Sequence, residues 1–206
     1  MSNKLLYLEE KIEETLVSFE QVDKYDRALQ QYIQIENEIH KYMKNNEVNF
    51  TQAQKLLAQC YLRQAGMLRE LGRTEEANEI NKKEMESARL SGSTIAYAQS
   101  LFSTGINLLS SRRIEEGLNF LRKAKKVFEA GNTSEYLQGV GWYWIIMADL
   151  GNKGIVSATN EEIINYANKA IKILTPIQNS QGISRAHEAR SIAYKKMGNN
   201  EKANND

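Results

Sequence analysis

Five short breaks with turn chemistry recur along the chain: Val22-Asp23-Lys24, Leu71-Gly72-Arg73-Thr74, Ser111-Arg112-Arg113, Leu150-Gly151-Asn152 and Met197-Gly198-Asn199-Asn200. Taken at Asp23, Gly72, Arg112, Gly151 and Gly198, they lie 49, 40, 39 and 47 residues apart. Between them apolar residues return every three or four positions, as in Leu5, Leu8, Ile12 and Leu16 or Ala28, Tyr32, Ile35 and Ile39. That period belongs to amphipathic helices, and strict alternation of strand length is hard to find. One proline in 206 residues agrees with helix. Glycine suits the left-handed end of a helix, and Asp, Thr or Asn beside it can start the next one.

These signals predict helices over about 4–20, 24–44, 51–71, 75–90, 94–111, 114–129, 134–150, 160–175 and 181–197, with a stub from about 200. Short breaks join antiparallel neighbours, so the helices pair as hairpins at about 4–44, 51–90, 94–129 and 134–175, with an incomplete one at 181–206. Residues 151–160, GNKGIVSATN, form a long loop inside the fourth hairpin. The expected architecture is one all-α domain of about 4.5 helical hairpins spanning 1–206.

Hydrophobic residues are 41% and charged residues 26%, with a formal charge of +1. This is the composition of a soluble folding chain and gives little basis for indiscriminate nucleic-acid binding. No apolar run reaches the ~18 residues of a membrane span. The opening MSNKLLYLEEKIEE turns acidic where a signal peptide needs its apolar stretch, and the one cysteine, Cys60, fits a reducing compartment; both point to the cytoplasm. Residues 1–50 hold six basic against ten acidic side chains, so the excess positive charge lies further on.

Around the turns a pattern returns. DKYDRALQQY, GRTEEANEI, RRIEEGLNFLRKA and TNEEIINYANKA share an acidic helix start, then a small or apolar residue, then an aromatic residue or Ile. It resembles the tetratricopeptide repeat, in which a small residue of the first helix opposes one of the second. Ala65, Gly105 and Ser191 stand for the first; Ala28, Ala77, Gly117 and Ala203 for the second. The sequence departs from that pattern in its period of about 40 or more, in Leu16, and in Trp144 and Ile163 at both small positions of the fourth hairpin. The long period looks like that of bacterial response-regulator phosphatases and peptide-pheromone-sensing regulators. The resemblance implies a right-handed α-α superhelix (a TPR-like solenoid) that acts as a non-enzymatic scaffold for a peptide or protein segment on its concave face.

Counted from the turns, Gln59, Gln99 and Gln138 are equivalent positions on successive first helices. Leu62, Phe102 and Gly141 follow three residues on, then Gly66, Ile106 and Ile145. A row of amides beside an apolar strip can hold a peptide backbone and its side chains; amides on a wet helix surface are the plainer alternative. The Lys and Asn of carboxylate-clamp tetratricopeptide domains are replaced by Leu62, Phe102, Gly66 and Ile106, which argues against a C-terminal carboxylate as ligand. Of the aromatic cluster Tyr136, Trp142, Tyr143 and Trp144, the count places Trp144 in the core and Trp142 near a surface or groove. The candidate binding residues are therefore Gln59, Leu62, Gln99, Phe102, Ile106, Gln138 and Trp142.

Arg112, Arg113, Arg122, Lys123, Lys125 and Lys126 spread around an exposed side rather than forming one stripe. His40, His187 and Cys60 offer no metal-ligand spacing, and no cofactor is implied. The open alternatives are a phosphatase or phosphotransfer-inhibiting module acting on a response regulator, and a self-assembling adaptor. In the second, a homodimer would cover Ile183, Ile192 and Tyr194 at the C-terminal end.

Overall fold

The computed structural model of the chain describes residues 2–206. Its helices are α1 (Asn3–Ser18), α2 (Tyr25–Lys44), α3 (Phe50–Glu70), α4 (Thr74–Leu90), α5 (Thr94–Ser110), α6 (Ile114–Phe128), α7 (Ser134–Asn152), α8 (Asn160–Leu174), α9 (Ser180–Lys196) and α10 (Asn200–Asn204). A 3-10 turn covers Glu20–Val22. Among the described residues there is no strand, and no helix is long and apolar enough to cross a membrane. The chain divides into two compact units, Met1–Ala124 and Lys125–Asp206.

Five turns within hairpins are closed in one way. Asp23, Gly72, Arg112, Gly154 and Gly198 are left-handed, with φ of 58, 72, 60, 67 and 74°. At each, that residue's N–H donates to the carbonyl three residues back, and the next N–H to the carbonyl five back. This closure satisfies carbonyls that the helix end leaves unpaired. The fourth turn corrects the sequence reading: α7 runs through Gly151 to Asn152, and the left-handed residue is Gly154. Gly151 is a packing glycine, because a Cβ there would lie 2.8 Å from Ile163 Cγ1.

In unit Met1–Ala124 the core is built from helix faces of period 3.6. Leu5, Leu8 and Ile12 of α1 meet Tyr32, Ile35 and Ile39 of α2, and Leu57 and Cys60 of α3 join the same cluster. Each large apolar side chain buried there contributes about 1.5–3 kcal/mol. The third hairpin closes at Gly105 and Gly117: a Cβ on either would come within 3.0 Å of the other's carbonyl oxygen. The expected small residues Ala28, Ala65 and Ala77 are likewise buried.

In unit Lys125–Asp206, α8 packs on α7 and α9. Leu174 enters the gaps left by Gly141 and Gly182, whose Cβ positions would lie 2.4 and 2.6 Å from its methyl carbons. Trp144 is half-buried, not in the core: at this phase of α7 its ring stacks on Tyr166 at 5.5 Å, and Lys169 Nζ lies 4.3 Å from it. Trp142, also half-buried, packs on the same cluster as Trp144. Helix α9 is partly covered by α10: Ala203 of α10 is buried, and Ser191 Oγ of α9 donates to its carbonyl at 2.8 Å. Asp206 accepts from Arg190 Nε at 2.8 Å and sits 3.0 Å from His187 Nδ1, contacts that hold its carboxyl below the usual range. Ile192 stays exposed, whereas Ile183 and Tyr194 are half-buried.

Candidate functional site

In the first unit, α3 packs between α1 and α5. Each of these helices turns one stripe of period i, i+4, i+7, i+11 away from the core. On α3 it is Lys55, Gln59, Leu62 and Gly66; on α5 it is Ile95, Gln99, Phe102 and Ile106. All but the exposed Lys55 are half-buried, neither core nor free surface. The same count from Asp23 gives Leu6, Glu10, Glu13 and Val17 on α1, all exposed. Five of the sequence-predicted residues, Gln59, Leu62, Gln99, Phe102 and Ile106, thus fall on two adjacent stripes. Among the described residues neither glutamine amide has a hydrogen-bond partner. Each is left able to donate and accept.

Gly66 stands apart from the other glycines. Those at 72, 92, 154 and 198 are left-handed, and every other glycine lies where a Cβ would come within 3.0 Å of a neighbour. At Gly66 the nearest atom to a Cβ would be Arg69 Nη2, at 3.7 Å, and its φ is not positive. A mid-helix glycine costs roughly 1 kcal/mol relative to alanine. Neither packing nor backbone conformation requires one here. Gly66→Ala should therefore raise stability by about 0.5–1 kcal/mol, read as a higher urea midpoint.

The second unit does not continue these stripes as counted. Gly141 and Ile145 are buried, Ile145 completely, so α7 turns this face inward. Gln138 is exposed and Trp142 half-buried, one helical turn apart on the accessible side of α7.

A buried polar seam joins the second and third hairpins, and the sequence reading missed it. The inward stripe of α4 is Ala77, Asn81, Glu84 and Ala88; that of α5 is Ala96, Ser100, Ser103 and Asn107. Asn81 Nδ2 donates to Glu84 Oε2 at 2.6 Å and to Ser103 Oγ at 2.8 Å, Asn107 Nδ2 donates to Asn81 Oδ1, and Arg69 Nη1 donates to Asn107 Oδ1 at 2.8 Å. Glu84 is 1% exposed and its Oε1 has no partner. Burial pushes its carboxyl up to about 8, and burial also draws Arg69 below its ordinary range. The signal was available: Asn81 and Glu84 occupy the helix phase of Ala77 and Ala88.

Cys60 is inert as a nucleophile. Burial pushes its thiol up to about 12, and Sγ lies 3.0 Å from the Tyr32 carbonyl, to which it donates. His40 Nε2 lies 3.2 Å from Tyr61 Oη in the first unit; His187 belongs to the second. No group of three or more His, Cys, Asp or Glu among the described residues is placed to hold a metal ion. Of the basic stretch, Arg113 forms a fork with Glu116 and Lys125 pairs with Glu129.

No family model matches the chain, and no curated protein matches it. Solved structures do. BtubC (BKLC) from P. vanneervenii superposes with a TM-score of 0.57 at 14% identity, over 98% of this chain and 86% of that one. A putative kinesin light chain of Podosopora anserina with nearly identical TPR-like repeats also gives 0.57, at 11% identity, over 99% and 93%. A point variant of that light chain matches at the same score and identity over 100% and 93%. The chain has the fold of TPR-like helical-repeat proteins.

Proposed function

We propose that the chain is a non-enzymatic binding scaffold that takes an extended peptide or protein segment across the stripes of α3 and α5. The observation that carries this reading is the pairing of two unpartnered amides, Gln59 and Gln99, with the half-buried apolar side chains Leu62 and Phe102 one turn further along and Ile106 two turns along. An extended segment presents backbone N–H and C=O groups at a spacing that amides can meet, and alternate side chains that an apolar strip can take. The TPR-like fold is consistent with a protein-interaction role. Gln138 and Trp142 belong to the second unit and offer a separate contact face for the same class of partner.

The test is selection of random 12-residue peptides by display on the whole chain, with Phe102→Asp as comparison. A charge placed in the apolar strip is expected to weaken the selected peptides at least about tenfold, with helicity by circular dichroism unchanged. If no related peptides are enriched, or the variant binds them equally well, the reading is overturned.

A further inference from the structure

Charge is unevenly spread over the three stripes. On α1 the two cations are engaged on the side of α2: Lys4 pairs with Glu47, and Lys11 with Glu38 at 3.3 Å. Glu20, just beyond α1, is taken by Arg63 at 3.3 Å and by Tyr32 at 3.0 Å. Glu9, Glu10, Glu13 and Glu14 keep no ion-pair partner among the described residues. On the stripe of α1 that continues those of α3 and α5, Glu10 stands in the row of Gln59 and Gln99, and Glu13 in the row of Leu62 and Phe102. The sequence of α5, TIAYAQSLFSTGINLLS, carries no charge at all. The groove thus runs from an unneutralised acidic wall on α1 to an uncharged apolar one on α5. Between them Gly66 leaves an opening on α3, flanked by Leu62 in its own stripe and by Ile106 in the adjacent one.

Resting on the function proposed above, we infer that the segment bound here is basic at one end and apolar at the other. A Lys or Arg lies against Glu10 and Glu13, a large apolar residue sits over Gly66, and the next apolar side chain reaches Phe102. Packed helices lie about 8–10 Å apart and an extended chain covers about 3.3 Å per residue. The cation and the residue over Gly66 are therefore about three positions apart, with about three more to the residue at Phe102. Charge at the acidic end sets which segments bind; the opening at Gly66 lets the segment approach α3 closely.

The same 12-residue library separates this inference from the reading it rests on. Selected peptides should share a Lys or Arg about three residues from a large apolar one. Glu10→Lys with Glu13→Lys should weaken a fluorescein-labelled selected peptide at least about tenfold at 50 mM salt, measured by anisotropy, and much less at 500 mM, where screening shortens the reach of the charges. Selection on the charge-swapped chain should return acidic residues at that position. Gly66→Leu should lose the peptide while its thermal melt does not fall. Peptides that lack a shared cation, or that bind the charge-swapped chain unchanged while still failing on Phe102→Asp, overturn the inference and leave the peptide groove standing. An empty selection overturns both.

Discussion

One added methyl group at position 117 is expected to lower the melting temperature by roughly 4–8 °C, a loss of about 2 kcal/mol. Helix propensity alone argues the opposite sign, since Gly→Ala in a helix interior gains up to about 1 kcal/mol. Sterics decide. The new Cβ of Gly117→Ala would stand 2.9 Å from the Gly105 carbonyl oxygen and 3.0 Å from the Leu109 nitrogen, which are backbone atoms that no rotamer change can move. Accommodating it means parting α5 from α6 where they cross. Gly105→Ala meets the Gly117 carbonyl at 3.0 Å and should cost a similar amount, but the two together should cost less than their sum because one separation relieves both. Gly66→Ala is the matched control, an equal change in propensity with no clash. Thermal melts of the three single variants and the double variant check the argument; a neutral or stabilised Gly117→Ala would refute close crossing at this point.

The largest pH effect is expected from Glu84. Its carboxyl titrates near 8 in the folded chain because burial disfavours the charged form, against a usual value of 4.5. The native state therefore holds a proton that the unfolded chain has already released between about pH 4.5 and 8. Stability is greatest at the acidic end of that window and falls as pH rises through it, at up to about 1.4 kcal/mol per unit, before levelling off above 8. The total loss is on the order of 3–5 kcal/mol, with the opposing pull of Arg69 already contained in the shift. Glu84→Gln keeps the shape and an acceptor for Asn81 while removing the titration. Urea unfolding at pH 5, 7 and 9 should show the variant nearly level and the parent chain falling, with the variant the more stable at pH 9. Parallel curves would mean that the carboxyl is hydrated in solution.

The helices were legible because their stops are chemical. Gly72 and Gly198 mark turns by their backbone freedom, and the bounds of α1 to α9 fall within one or two residues of those expected. The fourth turn misled because Gly151 and Gly154 stand three residues apart for unrelated reasons, one giving room to Ile163 and the other adopting a left-handed backbone. Sequence shows both as glycine. From that slip came the expectation that Gly141 and Ile145 extend the strip, and the same count placed Trp144 in the core. The stripes of α3 and α5 were readable from the shared offset of Gln59 and Gln99 to their turns. The acidic continuation on α1 went unread because Glu10 and Glu13 look like ordinary solvated charge until the partners of Lys4 and Lys11 are known. The seam at Asn81 and Glu84 was hidden by the assumption that polar side chains face water.

The uniform closure of the five turns also bears on how the chain comes into being. Within each unit a hairpin is held by hydrogen bonds spanning three and five residues at its turn and by packing against its sequence neighbours. Synthesis delivers about 5–20 residues per second, so a unit of some forty residues takes roughly 2–8 s to appear. Helices and loops of this size form in microseconds. Within a unit the helices of each hairpin can therefore form before the next one leaves the ribosome, and the hairpin gains its stability as it settles on its neighbour.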